Sequence, residues 1–435
     1  MTAKPLSPQD PRMHSLYHSG RLSQYLLWLA CAAGVVGLLA SRALVSLSAI
    51  PGLLAVLTNP HLRRDLPGYW RNGAAMRAAA MYGLFLLGTL YTREWAPWRH
   101  EVYRLLPWIS VPLTFAVAVP LRGWQRRAVG ALFALGTAAI GLATLSKYFR
   151  DPAAAIGAIS VGQNMPSVTR IFHIHFGLML GLAFFVALLL RREVRVAWLR
   201  WLLLLAAAGI AVTLHLLAYR TGLLVLYGTL LADALRLLAR RRYLLPGLGL
   251  LALLALAPWV AYHTLSSVRQ RVGASRWDIN QFRQGHDINN YSLARRLAAW
   301  ETAGRVIGRN PAIGVGPADV NAAMMAAYDQ HDYGLLPENR VMIHNQYLHY
   351  LVGSGVLGLA LWLAVLLWPL LKPGARRNPY IWHFLLVLGL GMLVDSVLEL
   401  QIGFNLFVFG YGFLVVADER RRAERPEPDQ APRRA

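Results

Sequence analysis

The sequence predicts an all-α polytopic membrane protein, and three observations predict it. Of 435 residues, 56% are hydrophobic and only 15% charged, with a mean hydropathy of +0.40; an ordinary soluble domain carries about 25% charge. Apolar stretches close to the ~20 residues that a helix needs to cross a bilayer recur along most of the chain. Lys and Arg, 44 against 21 Asp and Glu for a net charge of +23, gather in alternate connections between those stretches, as in a multi-pass protein with positive cytoplasmic loops. The single cysteine, Cys31, excludes an intramolecular disulfide and CxxC chemistry.

Twelve spans are expected, at roughly 23–40, 43–58, 75–91, 105–120, 128–147, 171–190, 201–219, 222–239, 244–263, 345–371, 380–398 and 401–417. The second is short, and Pro107, Pro112, Pro246 and Pro258 loosen the fourth and ninth. No small-residue cleavage site follows the first apolar segment, so it reads as an anchor. Arg63, Arg64, Arg71, Arg122, Arg126, Arg127, Arg191, Arg192, Arg240, Arg241, Arg376 and Arg377 fall on one side, and the opposite short loops hold single residues such as Arg42 and Arg220. That charge bias puts both termini in the cytoplasm. The expected organisation is a cytoplasmic tail over 1–22, nine spans over 23–263, an external loop with helices over 264–343, three spans over 344–417, and a disordered cytoplasmic tail over 418–435.

The external loop holds nine arginines, and long loops translocate regardless of charge. Within it, Ser292 to Gly308 has helical periodicity, with Leu293, Leu297, Trp300 and Val306 on one side and the Asn310–Pro317 run marking its end. A second external loop, 148–170, contributes Arg150 and Arg170.

Ionisable residues at the membrane edge are functional candidates. Arg220, between apolar runs, reads either as a snorkelling interfacial arginine or as a clamp on lipid phosphate. His344 opens the tenth span in a His-Asn-Gln run, where an imidazole can act as a base near neutral pH or simply sit in the interfacial belt. Asp395 and Glu399 stand where either an arginine partner or, for Asp395, an acceptor that orients His344 would satisfy them. His349 lies five residues after His344, and His173 and His175 are two apart, so neither pair has zinc-helix spacing and no metal is expected. Gly353, Gly355 and Gly358 satisfy G-x-G-x-x-G but follow no strand, and close helix packing explains them better than a dinucleotide.

The Arg220–Thr221–Gly222 hairpin, the segment from Arg296 to Gly316 and the segment from His344 to Gly358, set among about twelve spans, resemble the superfamily of O-antigen ligases and polymerases, membrane glycosyltransferases of the GT-C class. The chain looks most like the O-antigen ligases of the WaaL type. The resemblance implies that Arg220 and Arg296 bind the pyrophosphate of an undecaprenyl-linked O-antigen, the donor. It also implies that His344 activates a hydroxyl of the acceptor, a lipid A-core oligosaccharide, in an inverting transfer with no cofactor. Asn345, Gln346, Trp300 and Asp395 join them as expected substrate-binding residues, and Arg150 and Arg170 through charge and placement. An O-antigen polymerase is the alternative within the superfamily, with the ten-residue separation of Arg305 and Gly316 in its favour. A lipid-linked glycan transporter is the alternative from another class. The lipid bilayer is the remaining expected partner, and no nucleic acid is expected.

Overall fold

The computed structural model describes residues 11–424, all helix, turn and loop with no strand among them. The principal helices are α1 (Arg21–Ala40), α2 (Gly73–Leu87), α3 (Gly123–Arg150), α4 (His173–Glu193), α5 (Ala197–Leu216), α6 (Arg220–Leu238), α7 (Leu244–Thr264), α8 (Ser266–Arg283), α9 (Ser292–Arg309), α10 (Gln346–Leu371), α11 (Pro379–Gly391) and α12 (Gln401–Gly410). From α12 a π-helical turn, Tyr411–Val416, leads into a last helix, Ala417–Ala423.

The chain is a polytopic membrane protein in which nine of the twelve expected stretches are long apolar helices and the other three are bent or short. Among the described residues nine helices are long and apolar enough to cross a membrane, or ten if one bent pair counts as a span. The expected second span is the first arm of that pair, Arg42–Leu57, turned by 102° from Leu62–Arg71. The fourth shrinks to Pro107–Val117, which begins at one proline and contains another, Pro112. The eleventh stops at Gly391 after 13 residues, about 20 Å of helix against a hydrocarbon core of about 30 Å. The segment 392–400 beyond it carries Asp395, Ser396 and Glu399 and would strand three polar side chains in lipid if it stayed helical.

Helix α4 is the central member, packed against α3, α5, α6 and α11. Its approach to α6 depends on two glycines. A Cβ on Gly222 would lie 3.2 Å from the Gly177 Cα and carbonyl oxygen, backbone atoms that cannot rotate away. The glycine of the Arg-Thr-Gly run therefore lets α6 sit against α4 and brings Arg220, at the first position of α6, over the N-terminal end of α4.

The segment between α7 and α10 has an apolar core of its own, built from Ala298, Ala303, Val306, Val320, Met324 and Tyr328 and joined to α10 through Ile343 and Val352. On α9 the fully buried stripe is Ala294, Ala298, Ala299, Thr302, Ala303 and Val306, not the Leu293–Leu297–Trp300 side that periodicity suggested. Alanines allow close approach, and the larger residues lie half-buried beside them. The glycine run on α10 has a packing role. Gly355, at φ 60° and ψ −158°, is a non-helical kink that divides α10 into two arms; a Cβ there would fall 2.2 Å from the Ala312 carbonyl oxygen, and Val315 and Gly316 donate to the Val352 and Gly353 carbonyls at 2.9 and 3.0 Å.

At the chain ends, residues expected to be tails are partly helical. Pro11–His18 is a helix and α1 begins at Arg21. Residues 417–423 are helical because Asp418 and Glu419 are engaged: Asp418 pairs with Arg422, and Glu419 accepts from the Gly73 and Ala74 amides. The rest of the expected tails, 1–10 and 425–435, lies outside the described residues.

Candidate active site

The site assembles where the N-terminal ends of α4, α6 and α10 meet α8, α9 and the unwound 392–400 segment. Residues Arg296 and Trp300 are one helical turn apart and share a face of α9. The Arg296 Nη1 donates to the Val394 carbonyl at 3.0 Å, and the Trp300 Nε1 donates to the Ile343 carbonyl at 2.8 Å. One face of α9 thus grips the residue before Asp395 and the residue before His344.

His344 sits just ahead of α10. Its backbone is left-handed, φ 47°, as is that of Ala218 and Arg170 (φ 49° and 55°), the non-glycine residues with positive φ among those described. Such a conformation costs on the order of 1–3 kcal/mol and persists where surrounding contacts enforce it. Here they do. The Asn345 side chain caps α10 by accepting from the Tyr347 and Leu348 amides, and its amide nitrogen donates to the Leu393 carbonyl at 2.9 Å. Gln346 is fully buried, donates to Glu399 Oε1 at 3.1 Å and accepts from the Leu398 amide at 2.8 Å. With both ends of its amide used by protein, Gln346 has no face left for a substrate, so its place is that of a brace. The Trp300 indole nitrogen and the Asn345 side chain are engaged by the protein in the same way.

The brace holds His344 Nδ1 at 2.7 Å from Asp395 Oδ1, with Asp395 nearly inaccessible and His344 about a quarter exposed. Burial alone would raise the Asp395 pKa, but the hydrogen bond and charge of His344, together with His175 and Arg296, outweigh it and hold the carboxyl below its usual range. An ionised Asp395 accepts only, so His344 donates from Nδ1, and in the neutral ring the lone pair then lies on Nε2.

Beside this pair lies a small pocket lined by Arg220, Arg296, His173, Asn164, Tyr219 and Thr221. The Arg220 guanidinium is steered by the Ser275 and Ser292 hydroxyls at 3.2 and 3.0 Å. His173, at the start of α4, is within electrostatic reach of Arg296, Asp395, Arg220 and Arg271. Arg271, one of the nine loop arginines, joins the site without having been singled out by any motif. It is 4% exposed, donates from Nη2 to the Asn164 side-chain oxygen at 3.1 Å, and leaves Nε and Nη1 unpartnered. Burial and the charge of Arg220 pull the Arg271 pKa down to about 10, and burial likewise lowers Arg296. Asp278, raised by burial, faces Arg220 and Arg271. Three arginines against Asp278 and Asp395 leave the pocket cationic. Arg271, Ser275 and Asp278 follow one another at i, i+4 and i+7 on α8, a polar stripe readable from sequence.

The remaining candidates lie apart. Arg150 and Arg170 are exposed and do not line the pocket. His349 points away, pairing at 3.2 Å with Glu399, which Arg104 also bonds at 3.3 Å. Arg305 is exposed and paired with Glu301 at 2.8 Å. Among the described residues no three His, Cys, Asp or Glu side chains converge as metal ligands would.

Residues 205–363 match a family model described as O-antigen ligase, a stretch that holds Arg220, Arg271, Arg296 and His344 and ends before Asp395. No curated protein matches the chain.

Proposed function

Given that the chain belongs to the O-antigen ligase superfamily, with ligase/polymerase-type transferase chemistry and lipid-linked polysaccharide as its substrate, we propose that it is an O-antigen ligase of the inner membrane, of the GT-C class. It transfers polysaccharide from undecaprenyl pyrophosphate to a sugar hydroxyl of lipid A-core on the periplasmic face, with both termini in the cytoplasm. The observation that carries this reading is the His344–Asp395 pair, 2.7 Å apart, set against a pocket lined by Arg220 and Arg296.

The donor's pyrophosphate enters that pocket and is held by Arg220 and Arg296, with Arg271 behind them. Guanidinium forks match phosphate oxygens, and in a partly dry pocket they stabilise the charge that grows as the bond from the anomeric carbon to the pyrophosphate oxygen breaks. His344 Nε2 takes the proton of the acceptor hydroxyl as its oxygen bonds to the anomeric carbon from the opposite face, which inverts the centre. The ionised Asp395 stabilises the imidazolium that results, and undecaprenyl pyrophosphate leaves. The activated donor supplies the free energy, and the arginines meet the charge that other transferases give to a metal ion.

The test is transfer by the purified protein from a lipid-linked oligosaccharide, with lipid A-core and a second lipid-linked oligosaccharide offered separately. Product on lipid A-core alone is expected; elongated lipid-linked chains would make the protein a polymerase, and movement of donor across vesicles without transfer would make it a transporter.

A further inference from the structure

At the far end of the bundle, α1, α3, α4, α11 and α12 line a second cavity of about 450 Å³ that is partly open to the surface. The ring is closed by neighbouring contacts: α1 on α3, α3 on α4, α4 on α11, α11 on the π turn that continues α12, and α12 back on α1. It is remote from His344. His173 opens α4 beside the active site and Glu193 closes the same helix at the cavity, about 30 Å away at 1.5 Å per residue.

The interior is apolar, with Leu38, Phe133, Leu182, Val186 and Phe413 among its walls. A cavity of ~150 Å³ with such walls already takes up small apolar molecules in preference to water; this one is three times that size. On α4 it runs from Leu182 to Glu193, about 16 Å of helix, which suits a hydrocarbon chain. The polar residues gather at one end. Arg126, Arg127 and Arg421 lie there with Glu193 and Asp418, and the two acids are already engaged. Glu193 accepts from the Tyr380 hydroxyl at 2.8 Å, and Asp418 is shared among Arg422, Arg421 and Asn378. Among the described residues the guanidinium groups of Arg126 and Arg127 have no hydrogen-bond or ion-pair partner. Arg126 also lies close enough to Arg421 to repel it.

An apolar shaft with two unpaired arginines and a net positive charge at its mouth is the negative image of an amphiphile with an anionic head. We propose that this cavity is a binding site for an anionic phospholipid, which places one acyl chain between α1, α3, α4, α11 and α12 and its phosphate among Arg126, Arg127 and Arg421. Guanidinium–phosphate pairing supplies the head-group preference, and the shaft supplies the requirement for a chain. The site belongs to the leaflet opposite the catalytic groups, so it is distinct from donor recognition and stands whether or not His344 performs the transfer.

Native mass spectrometry of the full-length protein, incubated with equimolar phosphatidylglycerol and phosphatidylcholine, tests it. One retained phosphatidylglycerol, at least tenfold over phosphatidylcholine, is expected, and glycerol phosphate should not compete for the site. The Arg126→Gln, Arg127→Gln, Arg421→Gln variant should lose the preference, and Val186→Trp, which fills the shaft, should lose retention while keeping the arginines. Equal retention of the two lipids by the unaltered protein, a preference unchanged in the arginine variant, or full competition by glycerol phosphate would each overturn the proposal. The first measurement decides even if a variant fails to accumulate.

Discussion

Replacing Asp395 with asparagine removes a charge from the candidate site while changing almost nothing in shape. The carboxylate lies 2.7 Å from His344 Nδ1 and is nearly inaccessible, so water does little to screen it. An asparagine oxygen can still accept from Nδ1, which preserves the orientation of the ring, but it cannot stabilise the imidazolium formed when His344 takes a proton. A hydrogen bond to a charged group contributes about 1.5–3 kcal/mol and a neutral one about 0.5–1.5, so the substitution forfeits about 1–1.5 kcal/mol, which at about 1.4 kcal/mol per decade of rate should slow transfer roughly 5- to 12-fold. The loss belongs to the chemical step, because Asp395 touches His344 and not the pocket. Single-turnover transfer from a lipid-linked oligosaccharide, with donor affinity measured separately, is the assay. A fall in rate within that range at unchanged donor affinity is expected. A rate within about twofold of the unaltered protein would show that the pair plays no part in the chemistry, and a loss confined to donor affinity would move Asp395 into the binding site.

Gly222→Val would push a side chain against the Gly177 backbone 3.2 Å away. An overpacking cost of about 1–3 kcal/mol or more is expected, seen as poor accumulation and a lowered melting temperature in detergent; normal melting would refute the close α4–α6 contact. Arg271→Met, which keeps the packing and removes the two unpartnered donors, should raise the donor Kd with a smaller effect on the rate at saturation, whereas unchanged donor affinity would exclude Arg271 from pyrophosphate binding. The Asp395 pKa is lower in the folded protein than in the unfolded chain, so its stabilising contribution is complete above about pH 4 and disappears as the pH falls through the folded value. The difference in melting temperature between the unaltered protein and Asp395→Asn should therefore narrow on acidification; a gap that widens would contradict the sign.

Hydropathy made the long spans and the helical character of 292–308 legible, because both follow from local composition and periodicity. It could not show that Pro379–Gly391 ends early, since the apolar residues near its end and the polar residues beyond average together over a span-length window. That interruption is also what delivers Asp395 to His344, fifty-one residues away in sequence, a contact no local pattern encodes. Arg220 and Arg296 were readable because each sits in a recognisable string. Arg271 stood among similar loop arginines, marked in the sequence only by the polar stripe it shares with Ser275 and Asp278, and its burial and unpartnered nitrogens set it apart. His344 alone is turned toward the pair with Asp395, while the Asn345 cap and the buried Gln346 amide hold the backbone that presents it.

The central claim is that His344 is the base for transfer from a pyrophosphate-linked donor held by the neighbouring arginines. It is tested most directly by comparing purified His344→Ala with the unaltered protein, each given lipid-linked oligosaccharide and lipid A-core, with donor binding and product formation both measured. Donor affinity close to that of the unaltered protein, with no product on lipid A-core, is the expected result. Product formed by His344→Ala at an undiminished rate would contradict the claim.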